Sequence, residues 1–477
     1  MRFLIGLIFV FFIQQAYPHN LKIEALFSDN MVLQQQTKAP IWGWCRNGHK
    51  VFITTSWDHH TYVSISQKDG RWSALINTPH AGGPFLVHVR SGDENVVIKN
   101  VYIGEVWLVS GQSNMSMPLK GYYCQPVLGS NDAILNSNNK KIHFVNIPTM
   151  AAFKPQSNVR NVQWQVASSE NAGDCSAVGW FFSDRLHKSL NVPIGIINAS
   201  FSGSNVEAWM TPTACSEFRD IKIPIFSDST SYVINNIATV LFNGMISPIV
   251  GYGIKGLIWY QGESNVFNVP RYAPSVVAMV NDWRKLWKEG NFPFYFAQIA
   301  PYDYKQWNFF TPQWPDISAY LRESQVKIQK LIPNSGMAVL LDIGDSLCIH
   351  PSHKKEVGNR LALLALAKTY GRQGFEFQSP EYDHMNVIGN KAIIYFSKTF
   401  NGLTSYGKKL TLFEIAGDNK VFYKAHAYIN TDSGTVVVSC PLVPHPIAVR
   451  YAFKDYVKAE LFGTGGLPVS SFRTDDW

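Results

Sequence analysis

The sequence predicts an α/β protein with a mostly parallel central sheet and β-rich segments at both ends, and three observations carry that prediction. Continuous apolar runs (IGEVWLVS, PIGIINAS, IKGLIWY, FPFYFAQIA and MAVLLDIG) fill the middle of the chain, as strands buried on both faces do. Helical stretches such as RYAPSVVAMVNDWRKLWKEG alternate with them, and strand, helix, strand repetition is the pattern of a parallel sheet. Short strands punctuated by turn dipeptides occupy the two ends of the chain.

Taken in order, Arg2 followed by FLIGLIFVFFI gives a basic start and an apolar core too short for the roughly 20 residues of a membrane-spanning helix. Residues 1–18 are therefore expected to be a cleaved signal peptide, and the mature chain to have no membrane span and to be secreted or lysosomal. Residues 19–100 read as a small antiparallel β-domain: APIWGW, KVFITTSW, TYVSISQ, RWSALI and FLVHVRS are separated by turns at Asn47-Gly48 and Asp69-Gly70. Residues 101–375 carry the α/β pattern. Within SHKKEVGNRLALLALAKTYG, Val357, Leu361, Leu364 and Ala365 recur at helical spacing, with Gly371 as the expected stop. Residues 376–477 return to β-rich pieces, among them KAIIYF, KKLTLFEI, TVVVSC and PIAVRYAF.

Composition narrows the function. Of 477 residues, 46% are hydrophobic and 16% charged, which describes a chain with a large core. The net charge of +8 is spread without a basic run, so no nucleic-acid footprint is read from it. There is no GxxxxGK[ST], no paired CxxC and no HExxH. Six cysteines in a secreted chain predict disulfides, with 15 possible connectivities. Asn-x-Ser sequons occur at Asn114 and Asn198, both awkward places for a glycan.

In parallel sheets ligands gather at the carboxyl ends of strands. Ser113, in GEVWLVSGQSNMSMP, lies just past one apolar run, and FSGSNVEAW and QGESN follow two others. A serine hydroxyl becomes nucleophilic with a neighbouring imidazole and N–H donors aimed at the developing oxyanion. His350, after MAVLLDIG and before a helix, is the candidate base; a metal reading of His350 with His353 lacks a third ligand. Asp345 or Asp342 is the expected orienting acid, with a backbone carbonyl as the alternative. The candidate oxyanion donors are the Ser113 and Gly203 amides and the side chains of Gln261 or Asn265. His384, beside Asp383 in the C-terminal β-region, is read as structural.

The ordered motifs LFSDNMVLQ, IWGW, GEVWLVSGQSNM, EAW, FNGMISPI, IWYQGESN, NDWR, FYFAQIAPY, LRESQ, IHPSHKKEVGNRLAL, FEIAG and GLPVSSFRTDDW resemble those of sialate O-acetylesterases, from about Leu26 to Trp477. The resemblance implies a flavodoxin-like SGNH-hydrolase core between an N-terminal β-domain and a C-terminal β-sandwich. It also implies hydrolysis of acetyl esters, typically 9-O-acetyl on sialic acid, without a cofactor or metal. It puts the nucleophile on Ser113, the base on His350, and the oxyanion donors near Gly203 and the QGESN turn. Gln112 and Arg322 are the candidate substrate contacts, Arg322 toward the sialic acid carboxylate. Many relatives have WGG where this chain has Phe201-Ser202-Gly203, and bacterial relatives often carry Asp where this chain has Cys348. A deacetylase of other acetylated sugars and a non-catalytic sugar-binding protein are the rival readings. For the enzyme, activity is expected to fall as acid protonates His350, and a profile flat well below neutral would count against this base.

Overall fold

The computed structural model describes residues 20–224, 234–306 and 315–477, so the expected signal peptide lies outside the described residues. A single strand organises the molecule. β1 (Glu94–Gly111) has 18 residues and serves two sheets in succession. Its first half pairs antiparallel with Gly82–Ser91 and, further on, parallel with Val32–Gln34, in the N-terminal β-region. Its second half is flanked in parallel by Ile194–Ser200 and Gly256–Tyr260. Exposure changes at the same point: up to Asn100 exposed and buried residues are mixed, whereas every residue from Val101 to Gly111 is buried. The strand thus runs across the expected boundary at residue 100.

The central sheet adds β2 (Asn139–Asn146), β3 (Gln165–Ala167), β4 (Ile194–Ser200), β5 (Gly256–Tyr260), β6 (Phe294–Ala297) and β7 (Ser335–Ala338), in the order β3-β2-β4-β1-β5-β6-β7. All neighbours are parallel except the β2–β3 pair at one edge. Without that edge pair the remaining strands read 2-1-3-4-5, and the chain reverses its direction of travel across the sheet at β1.

Alternate residues of β1 enter two different cores. Trp107 and Val109 pack with α2 (Ala177–Leu190) and α5 (Lys354–Lys368), whose Val357, Leu361, Leu364 and Ala365 are buried as their spacing predicts. Val106 and Leu108 belong to the other core, with α3 (Val269–Trp287) and α4 (Ile317–Leu331). Both faces are covered, which is why the sequence shows unbroken apolar runs rather than alternation. The helix containing Leu364 ends at Lys368, and Gly371, with φ of +64°, takes the left-handed turn just beyond it.

Beyond residue 380, two four-stranded antiparallel sheets form, one from Glu381–Ile388, Lys391–Ser397, Thr435–Ser439 and His426–Asn430, the other around Phe413–Ala416 and Ala448–Tyr451. Phe472 of the second stacks on Tyr382 and packs on Phe396 of the first. His384 pairs with Asp383 on an exposed strand, in keeping with its structural reading.

The disulfide expectation is corrected. All six cysteines are free: Cys45, Cys175, Cys215 and Cys440 are buried, Cys348 is half-buried and Cys124 is exposed. The buried four come from distant parts of the fold and act as small apolar side chains. Among the described residues no helix is long and apolar enough to cross a membrane.

Candidate active site

Three strands end level at one edge of the sheet, since Gly111 is in register with both Ser200 and Tyr260. The three polar clusters begin on the next residues: Gln112, Phe201 and Gln261. Gly111 is where the chain turns off the sheet, at φ of +140°, and a Cβ there would sit 2.2 Å from the Tyr260 carbonyl oxygen. Only glycine passes that carbonyl, and Gln112 N–H then donates to it at 3.0 Å. Ser113 opens the one-turn helix α1 (Ser113–Ser116).

The loop after β7 brings His350 to the same place. Asn114, beside the serine, donates from Nδ2 to the Ile349 carbonyl, beside the histidine, at 3.0 Å. Tyr122 bridges the two from the other side: its hydroxyl donates to the Ser113 carbonyl at 3.0 Å, and its ring lies edge-on to the imidazole with centroids 5.5 Å apart. The Gly203 turn closes the third side, with Ser202 Oγ 3.2 Å from Ser116 Oγ and Gly203 in the left-handed region at φ of +67°.

The orienting acid is not where the sequence suggests. His350 Nδ1 lies 2.7 Å from Gln125 Oε1. Asp345 instead accepts the Leu347 and Cys348 amides at 2.8 and 3.1 Å, shaping its own turn. Asp342 is spent on a two-point pair with Arg360 at 2.7 and 2.6 Å. Burial, reinforced by the positive charge of Lys354, pulls the imidazole down to a pKa of about 4. His353 faces Glu356 at 3.6 Å.

Three further expectations are corrected. Gln261 is fully buried, and its Nε2 is committed to the Ser204 carbonyl at 3.1 Å and Asn265 Oδ1 at 2.7 Å, so it braces the turn instead of meeting an oxyanion. Gln112 points inward, its Oε1 accepting the Gly262 and Ser264 amides at 3.2 and 3.3 Å, which fixes QGESN to the serine turn. Arg322 has no exposed surface and binds Ser471 Oγ, Ser318 Oγ and the Lys454 carbonyl, joining α4 to the C-terminal sheets. Asn265 keeps its candidacy: its Oδ1 holds Val206 N–H and its Nδ2 gives one hydrogen bond to Glu207, leaving a second N–H.

Sequence reasoning misses Gln125, Tyr122, and a buried set comprising Asn114, Glu263 and Lys354. Lys354 carries a signal, being a cation in the first turn of a helix, where the peptide dipoles disfavour it. The Asn114 sequon is buried with its amide fully engaged, whereas Asn198 bonds Asn146 Oδ1 at 3.0 Å across two core strands. A cavity of about 1200 Å³ lined by Gln34, Arg71 and Lys255 opens at the opposite, amino ends of the strands and holds none of these residues.

The model of a carbohydrate esterase family, the sialic acid-specific acetylesterases, matches residues 103–367. Human sialate O-acetylesterase is 29% identical over 435 residues, covering 84% of this chain and 79% of that protein. The mouse protein of the same name is 27% identical over 427 residues, 78% of this chain and 77% of that protein. A solved carbohydrate acetylesterase from Xanthomonas citri superposes with a TM-score of 0.86 at 31% identity, covering 96% of this chain and all of that one. The family match spans the α/β sheet and the loops at its carboxyl edge that carry Ser113 and His350, and the chain belongs to the sialic acid-specific acetylesterase family of carbohydrate esterases.

Proposed function

We propose that the chain is a serine esterase that removes O-acetyl groups, the 9-O-acetyl group first among them, from sialic acids. The observation that carries it is the double tie between the serine and histidine loops, through Asn114 to Ile349 and through Tyr122. His350 Nδ1–H donates to Gln125, which leaves Nε2 with its lone pair free to take the Ser113 proton. The serine oxygen attacks the acetyl carbon, and the carbonyl oxygen becomes an oxyanion met by the Ser113 and Gly203 amides and the second Asn265 N–H. Collapse expels the sugar oxygen, which takes its proton from His350. Water then gives a proton to His350 and attacks the acetyl carbon, and as the second tetrahedral intermediate collapses the serine oxygen leaves with the proton from His350, freeing acetate and restoring both residues. Because Gln125 is neutral, the transient imidazolium finds its counter-charge in the oxyanion itself.

The strands β4-β1-β5-β6-β7, ordered 2-1-3-4-5 within the parallel sheet, support a flavodoxin-like SGNH-hydrolase core at 101–375, between an N-terminal β-domain at 19–100, with which it shares β1, and a C-terminal β-sandwich at 376–477. Entry into the secretory pathway by a signal peptide at 1–18, toward secretion or the lysosome, rests on the apolar run and agrees with a base that stays neutral in acid.

The test is acetate release from a 9-O-acetylated sialoside by wild type and Ser113→Ala. Loss of release in the variant is expected, and equal release would remove the serine esterase reading. A second reading, deacetylation of other acetylated carbohydrates, is favoured by the likeness to the Xanthomonas citri protein, which is described as a carbohydrate acetylesterase. Competition between the sialoside and acetylated xylan oligomers ranks the two. A binding protein without turnover would leave both substrates intact.

A further inference from the structure

Beneath the crevice lies a buried set of side chains that none of these steps uses. Asn114 is completely buried and held at three points. Its Nδ2 donates to Glu263 Oε1 at 2.5 Å and to the Ile349 carbonyl at 3.0 Å, and its Oδ1 accepts from Lys354 Nζ. One amide therefore gathers the turn after β5, the residue before His350 and the first turn of α5. Glu263 and Lys354 are themselves buried, and Lys354 Nζ sits 5.7 Å over the Tyr260 ring. Burial disfavours each charge, raising the Glu263 carboxyl and pulling Lys354 down to about 7. A cation and a carboxylate kept in such a place for packing alone would be replaceable by apolar side chains without loss.

We infer that Asn114, braced between Lys354 and Glu263, is the positioning residue that sets the Ser113 hydroxyl against the His350 imidazole. The inference rests on the esterase reading of the Ser113 and His350 pair and adds to it the machinery that aligns them. Ser113 is adjacent to Asn114, and Ile349 is adjacent to His350, so a shift of the amide moves the nucleophile and the base relative to each other. Misplacement of about 1 Å at a reacting centre costs on the order of 10²-fold in rate. Around His350 stand the Tyr122 ring, the Gln125 amide, Cys348, whose thiol meets the His350 carbonyl at 3.4 Å, and the Lys354 ammonium. Glu263 faces Lys354 and partly offsets its charge.

Lys354→Met keeps the length of the side chain and removes the cation. Its kcat is expected to fall on the order of 10²-fold with KM nearly unchanged, and the acid limb of kcat/KM to move upward, because a cation that opposed the imidazolium is gone. A purely structural lysine would not move that limb. The double variant Glu263→Gln with Lys354→Met, neutral at both positions, guards against misfolding and is expected to melt near wild type with the same raised limb. Asn114→Ala is expected to lower kcat by a similar factor without shifting the limb as far. A folded Lys354→Met enzyme with unchanged kcat and unchanged limb overturns the inference while leaving the esterase reading intact. Acetate release surviving Ser113→Ala would instead bring down the esterase reading itself.

Discussion

His350 Nδ1 donates to Gln125 Oε1 at 2.7 Å, so the base proposed for this esterase is oriented by a neutral amide. The orienting task needs an acceptor at one ring nitrogen, and a glutamine oxygen meets it without adding charge. Gln125→Ala is expected to lower kcat about 10²-fold, since the ring loses its preferred tautomer and rotation. Gln125→Glu supplies a carboxylate and is expected to raise the histidine pKa by about one unit or more, visible as an upward move of the acid limb. An unmoved limb in a folded Gln125→Glu enzyme would show that the contact does not govern the base.

The pH profile follows from the same pocket. As the proposed base His350 acts only when neutral, and burial together with Lys354 holds its pKa down at about 4. Activity is therefore expected to stay level from neutral pH into the acid range and to fall as pH drops through about 4. A histidine near its ordinary value would lose activity below about 6.5. Burial thereby corrects the expectation drawn from the sequence: a profile level below neutral does not count against this base, and a fall near the ordinary histidine value would instead show that the pocket does not hold the imidazole down. Measuring kcat/KM across the acid range, with thermal melts at each pH to show that the enzyme stays folded, separates the two.

Arg322 is a structural cation. Arg322→Met is expected to cost about 3 kcal/mol of stability, because Asp455, whose Oδ1 accepts from Ser318, loses its buried positive neighbour. KM for the sialoside is expected to stay unchanged in any fraction that remains folded. A raised KM without a fall in melting temperature would return Arg322 to the substrate.

Gly111→Ala forces a left-handed backbone on alanine and drives its Cβ into the Tyr260 carbonyl. The expected cost is about 3 kcal/mol, with loss of kcat exceeding loss of stability because the displaced residue leads directly into Ser113. Thermal melts and kinetics on the same preparation test this.

What the sequence reveals and what it hides divide along physical lines. Strands buried on both faces must be apolar throughout, so their ends are visible as abrupt changes to polar residues, and Ser113, Gly203 and His350 all stand at such ends. The partners of those residues carry no comparable mark. Gln125 sits in GYYCQP, a stretch without periodicity, and reaches His350 across 225 positions. Asp345 is attractive for its proximity in sequence, yet its Oδ1 accepts two local amides in the loop after β7, and His350 turns its Nδ1 to Gln125 instead. The usual rule that charged side chains face water fails at Arg322 and Lys354, because docking of α4 and α5 covers them. Amide side chains mislead in the same way: Gln112 and Gln261 look like ligand-binding groups and are consumed in holding loops together.

The 18-residue strand from Glu94 to Gly111 has a bearing on how the protein can be dissected. A genetic cut at residue 100 would not release a self-sufficient fragment, because it severs the beam on which Ser113 is mounted and strips that beam of its flanking hairpin. Exchange of the amino-terminal β-region for another would face the same obstacle, since it and the edge that carries Ser113 are two ends of one mechanical piece.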